Sequence, residues 1–175
     1  MNKVTNILKY APLLLMLIIF SEQESEAKLI SDLVLDQKKG ATVLIFISKD
    51  CPCSKGNLPY LNTLVKDFSD FQFIAIHSKK NASDDEVLNY LQNNQLDFDV
   101  VNDKDLVIAN KYKALKTPHV FIIKNDTTLY SGGVTNSTMP EKARDHYLYE
   151  ALNQIKNKQA LSRNNTKTLG CFIVR

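Results

Sequence analysis

The chain lacks the residue patterns that mark several common classes of enzyme. Among its 175 residues are only three histidines and five glycines. They form no Ser-His-Asp arrangement and no glycine loop that could hold a phosphate, and we find no pair of carboxylates placed for acid–base chemistry. These absences exclude the simplest hydrolytic and phosphate-transfer mechanisms, and we expect no cofactor.

The chain also lacks a large excess of charge of either sign. Lysine and arginine total 22 and aspartate and glutamate total 19, interspersed along the chain, which gives a net charge of +3. Such a balance provides no basic surface for nucleic acid, so we expect no nucleic-acid partner. There is no internal repeat and no low-complexity segment. A hydrophobic content of 44% suits one globular domain with a real core.

Only one uninterrupted apolar run precedes the strand patterns, from Ala11 to Phe20. It follows Lys3 and Lys9, and its length is about half of the roughly 20 residues that a membrane-spanning helix needs. Small residues occur before and at Ala27, so residues 1–27 are predicted to be a secretory signal peptide cleaved after Ala27. An uncleaved N-terminal membrane anchor is the alternative.

The predicted signal peptide indicates the compartment in which the mature protein is expected. The mature domain would be residues 28–175, in the periplasm of a bacterium or otherwise secreted, where disulfides persist. Three cysteines cannot all pair within one chain, so one free or exchanging thiol remains. A redox protein that cycles between partners is expected to have such a thiol.

Hydrophobic periodicity predicts alternating strands and helices, followed by a hairpin. Strands are predicted at 41–47, 71–76, 98–101, 120–123 and 128–130, with a strand-like patch at 171–174. Helices are predicted at 54–68, kinked at Pro59, and at 83–94, 105–114 and 140–157. The order β-α-β-α-β-α-β-β-α indicates an α/β fold, a mixed sheet with helices on both faces.

The chemistry is expected at Cys51, which lies four residues after the first buried strand and directly before Pro52. Proline favours the first turn of a helix, so Cys51 is a candidate N-cap residue. Unpaired N–H groups and the helix dipole stabilise an anion there, and the pKa of a cysteine in this position can fall to roughly 3.5–7.5. Lys49 and Lys55 would add to this effect, and Asp50 would oppose it. We interpret Cys51 as the attacking nucleophile; the alternative is a buried, inert cysteine.

Two other thiols could resolve an intermediate formed on Cys51. Cys53 is the nearest, but a Cys-x-Cys bridge closes a very small ring and would be strained. Cys171 is distant in sequence. The sequence does not choose among the three possible pairings.

Thr117-Pro118 precedes the first strand of the hairpin. A proline there lacks a ladder donor, so it must occupy an edge, a turn or a cis bond. The next residue, His119, could ligate a metal together with Cys51 and Cys53, although a partly buried strand histidine is the more common case.

Taken together, these motifs resemble the thioredoxin-like superfamily, and more closely the secreted redoxins of the AhpC/TSA group. The resemblance is carried by Cys51-Pro52-Cys53-Ser54 after a strand, Pro59 in the next helix, Thr117-Pro118 before the hairpin, Tyr130 with Gly132, Tyr147-Leu148 with Ala151-Leu152, and Gly170-Cys171. It implies a thioredoxin-like fold in which Cys51 is the nucleophile and Pro118 is a cis-proline that packs against it. Thr117 would tune contacts with a thiol substrate.

Two departures from these families affect the expected mechanism. Ser54 stands where thioredoxins carry their second cysteine. Leu44 and Ser48 stand where peroxiredoxins carry a proline and a threonine, although the Ser48 hydroxyl could still donate to a thiolate or a peroxide oxygen.

The sequence therefore predicts a secreted thiol–disulfide oxidoreductase or peroxiredoxin-like peroxidase. Cys51 would attack a protein disulfide or a small peroxide, and Cys53 or Cys171 would resolve the mixed disulfide or sulfenic acid that forms on Cys51. A thiol electron donor would then return the cysteines to their reduced state. The alternative is a periplasmic copper carrier that uses Cys51 and Cys53 together with His119 or Cys171, because soft thiolates suit copper(I).

Overall fold

The computed structural model describes residues 39–94 and 96–175. The predicted signal peptide at 1–27, and the membrane anchor that is its alternative, lie outside these residues. Within the part that is described, no helix has the length and apolarity needed to cross a membrane.

The described residues form seven strands, four α-helices and one 3-10 turn. The strands are β1 (Thr42–Ile47), β2 (Gln72–His77), β3 (Asp99–Asn102), β4 (Lys116–Thr117), β5 (His119–Lys124), β6 (Thr127–Gly132) and β7 (Cys171–Phe172). The helices are α1 (Pro52–Asp67), α2 (Asp84–Asn94), α3 (Val107–Lys111) and α4 (Tyr147–Lys156), with a 3-10 turn at Pro140–Lys142.

Five of the strands form one mixed sheet in the order β3-β2-β1-β5-β6. The pairs β1–β2 and β2–β3 are parallel, whereas β1–β5 and β5–β6 are antiparallel. The mixed α/β sheet predicted from the sequence is confirmed. The strand β1 lies at its centre and is buried along its whole length, as expected for a continuous apolar run.

Alternate residues of β1 point to opposite faces of the sheet. Val43, Ile45 and Ile47 belong to one core cluster with apolar residues of α1 and α4. On the other face, the ring of Phe46 lies 6.3 Å from that of Tyr112, the residue after α3. Helical segments therefore cover both faces, and β1 delivers the residues after Ile47 to an edge of the sheet between them.

Several local predictions are also correct. The helix predicted at 83–94 is present as α2, and the Ser83 hydroxyl caps its start by accepting the N–H of Glu86 at 3.1 Å. The hairpin between β5 and β6 turns at Asn125 and Asp126, both with positive φ, a conformation that asparagine and aspartate tolerate. The helix α1 continues through Pro59 to Asp67.

Two predicted helices are shorter than expected. The last α-helix begins at Tyr147, because Pro140 starts only a 3-10 turn and Ala143 is extended. The third helix begins at Val107, because Leu106 adopts a left-handed conformation with φ of 60°. The buried carboxylate of Asp103 accepts the N–H groups of Ile108 and Ala109 and so fixes that start.

After α4 the chain runs back along the edge strand β6. Ser131 pairs with this segment through its N–H to Asn164 and its carbonyl to the N–H of Thr166. The Tyr130 hydroxyl, 2.6 Å from the Thr166 hydroxyl, also donates to the Gly133 carbonyl at 2.6 Å. These contacts hold the C-terminal segment against the domain and direct Cys171 toward the start of α1.

Candidate functional site

Cys51 occupies the N-cap of α1, as the sequence predicts. Its backbone is extended, with φ of −93° and ψ of 113°, and Pro52 takes the first helical position. The Cys51 carbonyl accepts the N–H of Lys55 at 3.1 Å, and its own N–H donates to the Ser48 carbonyl. The sulfur thus lies at the positive end of a 16-residue helix, where a thiolate is stabilised.

The thiol of Cys51 contacts the loop that precedes β5. It donates a hydrogen bond to the backbone carbonyl of Thr117 at 3.0 Å, and the Thr117–Pro118 peptide bond is cis. The cis bond agrees with the conformation that the resemblance implied for Pro118. Thr117 and Pro118 therefore form the wall opposite the helix N-terminus.

Cys171 lies beside the same wall. The short strand β7 pairs antiparallel with β4, so that Cys171 is opposite Thr117 and Phe172 is opposite Lys116. Gly170 enters this pairing with φ of +150°, and a Cβ there would collide with the Thr117 carbonyl oxygen. Only glycine suits that conformation and that close approach, so the local sequence directs Cys171 to this position.

The three cysteine sulfurs of the chain come together at this point. The Sγ atoms of Cys51, Cys53 and Cys171 all lie within 4.8 Å of one another, and no disulfide joins them. Cys51 is buried, Cys53 is partly buried and Cys171 is exposed. The cluster can form a disulfide after modest side-chain rotation, and a reagent can reach it from the side of Cys171.

The structure differentiates the three thiols electrostatically. Burial disfavours the Cys51 thiolate, but hydrogen bonds from the Cys171 thiol, the Thr117 side chain and backbone N–H groups outweigh burial and lower its pKa to about 6. The hydrogen bond to Cys51 is the main reason that the pKa of Cys171 rises to about 11. Burial, followed by the Cys51 charge, raises the pKa of Cys53. One thiolate at Cys51, held by a protonated Cys171, is therefore the favoured state at neutral pH.

This charge distribution predicts how alkylation of Cys51 depends on pH. A lowered pKa means that the thiolate is present above about pH 6 and disappears as the pH falls through that value, so the rate should be half-maximal near pH 6. An ordinary cysteine would give about 8.5. The measurement is peptide-resolved iodoacetamide labelling of the reduced protein across a pH series.

A matched pair of variants tests the cause of this shift. Cys171→Ala removes the hydrogen-bond donor and should move the midpoint to higher pH, whereas Cys171→Ser keeps a hydroxyl donor and should move it less. A wild-type midpoint near 8.5, or equal shifts in both variants, would contradict the assigned cause.

The negative charge of Asp50, which precedes Cys51, is balanced by two lysines. The Asp50 carboxylate is 2.8 Å from the ammonium of Lys79 and 3.1 Å from that of Lys49. The Lys79 contact is the main reason that the pKa of Asp50 is lowered. The sequence predicted that Asp50 would oppose a thiolate at Cys51. The two lysines reduce that opposition, and Lys79 was not recognised because it lies on a different loop.

A cleft of about 350 Å³ opens onto the cysteines. Its lining includes Ser48, Asp50, Lys79, Thr117 and the segment from Cys171 to Val174. The Ser48 hydroxyl accepts the N–H of Asp50 at 3.3 Å. Ser48 thus lines the cleft and also shapes the turn that leads into Cys51.

His119 does not join the cysteine cluster, so of the two third ligands considered for a copper carrier, His119 and Cys171, His119 was wrong. Its Nδ1 accepts the N–H of Leu115 at 3.4 Å, and its Nε2 is 3.3 Å from the Ser131 hydroxyl. Burial lowers the pKa of His119 to about 4, so the ring is neutral. Among the described residues, the third group near Cys51 and Cys53 is Cys171.

Two buried polar residues of α1 support the site and were missed in the sequence. The Ser54 hydroxyl accepts the N–H of Ser48 at 3.2 Å, and the Asn57 side chain donates to the carbonyls of Cys53 and Thr138. Both are almost fully buried. Polar residues at positions where a helix faces the core are the signal that could have indicated them.

Comparison with known proteins identifies the family. A model described as the AhpC/TSA family matches residues 20–131, which is more than half of the chain, and the chain belongs to this family. Cys171 lies beyond the matched region. No curated protein matches the chain significantly.

Solved structures share the fold at low sequence identity. An uncharacterized conserved protein from Geobacillus kaustophilus is 24% identical, with 80% of each chain covered and a TM-score of 0.71. A thioredoxin-like protein in its oxidized form is 13% identical, with 69% of this chain and 80% of that chain covered and a TM-score of 0.57. A secreted disulfide oxidoreductase from Mycobacterium tuberculosis is 20% identical, with 69% and 84% covered and a TM-score of 0.50. The fold is thioredoxin-like.

Proposed function

We propose that this protein is a secreted thiol–disulfide oxidoreductase in which Cys51 attacks a substrate disulfide and Cys171 resolves the resulting mixed disulfide. The observation that carries the proposal is the pairing of β4 with β7, which puts Cys171 opposite Thr117, the residue whose carbonyl accepts the Cys51 thiol. Secretion is inferred from the apolar run at Ala11–Phe20.

The first step is attack by the Cys51 thiolate on one sulfur of the substrate disulfide. A new S–S bond joins Cys51 to the substrate, the substrate S–S bond breaks, and its other sulfur leaves as a thiolate. The positive end of α1 and the surrounding N–H groups favour the attacking thiolate, whose pKa is about 6.

The second step is attack by Cys171 on the Cys51 sulfur. Once Cys51 is part of a mixed disulfide it carries no charge, so the largest cause of the raised pKa of Cys171, its hydrogen bond with Cys51, is lost together with the repulsion by the Cys51 charge, and the effect of burial remains. Cys171 can then lose its proton and attack, which forms Cys51–Cys171 and releases the second substrate thiolate. An external dithiol donor supplies the two electrons that return both cysteines to thiols.

The positions of Cys53 and Cys171 favour Cys171 as the resolving thiol. Cys53 is two residues from Cys51 at the start of α1, so although their sulfurs are close, a bridge between them would close a very small, strained ring. Cys171 is exposed and lies outside α1, so its side chain can rotate toward Cys51 without disturbing that helix.

A disulfide substrate fits the residues around Cys51 better than a peroxide. Leu44 and Ser48 stand at the positions where peroxiredoxins carry proline and threonine. The cleft of about 350 Å³, which Cys51 and Thr117 help to line, gives a thiol-bearing chain access to the cysteines.

A direct comparison of oxidants tests this proposal. Reduced protein is mixed by stopped flow with a small disulfide or with hydrogen peroxide, and the loss of the Cys51 thiolate is followed. We expect the disulfide to react faster and to yield an intramolecular disulfide. Faster reaction with peroxide, with a sulfenic acid on Cys51, would instead identify a peroxidase.

A further inference from the structure

We propose that Cys51, Cys53 and Cys171 together form a three-thiolate binding site for one copper(I) ion. The inference uses the same cysteines as the proposed function, in their fully reduced state, and adds a ligand to that site. The sequence left His119 and Cys171 open as the third ligand, and the positions of the sulfurs favour Cys171.

The spacing of the sulfurs supports a single bound ion. A metal at the centre of three sulfurs, with metal–sulfur bonds of about 2.3 Å, would hold those sulfurs about 4.0 Å apart. The three Sγ atoms here lie within 4.8 Å of one another. Rotation of the exposed Cys171 side chain and the partly buried Cys53 side chain would close that difference without moving β1 or α1.

The ligand set favours copper(I) over zinc. Thiolates are soft ligands that select copper(I), zinc or iron–sulfur clusters, and zinc in structural sites is almost always four-coordinate. Over residues 39–94 and 96–175, no histidine or carboxylate completes the group of three sulfurs. The Asp50 carboxylate is paired with Lys79 and Lys49, and both ring nitrogens of His119 are engaged elsewhere. Three sulfurs without a fourth ligand match trigonal copper(I).

The surroundings of the three sulfurs suit a copper(I) ion that can be taken up from and passed to other ligands. Three thiolates around copper(I) carry a net charge of −2, which the N–H groups at the start of α1 would stabilise. Binding releases the protons of those cysteines that are still thiols, and it involves no electron transfer. The cleft leaves Cys171 exposed, so a small copper(I) complex can deliver the ion. Copper and a Cys51–Cys171 disulfide would exclude each other.

Anaerobic titration of the reduced protein with the copper(I)–bicinchoninate complex tests the proposal. We expect the wild type to remove one copper(I) ion from the chelator. Cys53→Ser and Cys171→Ser should each bind at least about tenfold more weakly, because even the outer partners of metal ligands contribute roughly 10–100-fold to affinity. His119→Gln, which keeps a polar side chain outside the cluster, should bind like the wild type. X-ray absorption should show three sulfur ligands and no nitrogen.

Three outcomes would overturn this site. They are failure of the wild type to compete with bicinchoninate, copper retention by Cys171→Ser equal to that of the wild type, and preferential binding of zinc(II) in a parallel titration. Disulfide exchange is measured on the same preparations. Exchange without copper retention overturns only the copper site, whereas copper retention without exchange overturns the proposed function.

Discussion

Replacing Cys51 with serine is expected to abolish disulfide reduction by this protein. A serine hydroxyl remains protonated at neutral pH, so the attacking anion that the N-terminus of α1 stabilises is lost. The rate should fall on the order of 10³-fold or more, as it does when a catalytic nucleophile is removed from other enzymes. The measurement is the reduction of a chromogenic aromatic disulfide under steady-state conditions, with a dithiol as donor.

The matched control for this variant is Cys53→Ser. Its sulfur lies in the same cluster but has a raised pKa, so most of the activity should remain. Thermal unfolding of both variants establishes that each is folded. If Cys51→Ser kept a substantial part of the activity while Cys53→Ser lost it, the nucleophile would have been assigned to the wrong residue.

Replacing Cys171 with serine is expected to separate the two chemical steps. The serine hydroxyl can still donate to the Cys51 sulfur, so the first attack should proceed at a similar rate. The thiol that remains near Cys51 is Cys53, which would have to close a strained ring, so the mixed disulfide should accumulate. Steady-state turnover should fall by about 100-fold or more, since intramolecular attack has a large advantage in effective concentration.

Intact mass spectrometry after a single turnover shows whether this intermediate forms. In Cys171→Ser the protein mass should increase by that of one substrate thiol less two hydrogens, and the wild type should show no such increase. If Cys53→Ser traps the adduct and Cys171→Ser does not, Cys53 is the resolving thiol and the strained ring at the start of α1 is the one that forms.

Local patterns in the sequence were sufficient to predict the start of α1 and the class of the sheet. The buried run at β1, followed by Cys51 and Pro52, specifies a strand that leads into a helix N-terminus. This transition is determined by residues that are adjacent in sequence, so it could be predicted, and the structure agrees with it. The hairpin between β5 and β6 follows equally from the turn residues Asn125 and Asp126.

The position of Cys171 could not be predicted in this way. The strands β4 and β7 contain two residues each, too few to show a period, and they pair across a long separation in sequence. Their pairing depends on Gly170 at φ of +150° and on the Tyr130–Thr166 contact, both of which have meaning only in the folded chain. The sequence therefore left three cysteine pairings open.

The lengths of the helices were mispredicted for similar reasons. Pro140 favours a helical first turn, but the Asn136 side chain accepts the N–H groups of Arg144 and Asp145 and holds the following residues outside a helix. The α-helix starts only at Tyr147. Hydrogen bonds between a side chain and distant backbone override a local preference of this size.

Disulfide mapping of the oxidised protein tests the central assignment most directly. Trypsin releases residues 50–55, which contain Cys51 and Cys53, and residues 168–175, which contain Cys171. We predict that these two peptides are joined, with fragmentation placing the bond at Cys51, and that the same linkage forms in Cys53→Ser. A bond between Cys51 and Cys53 within the first peptide, with Cys171 free, would contradict the proposed mechanism.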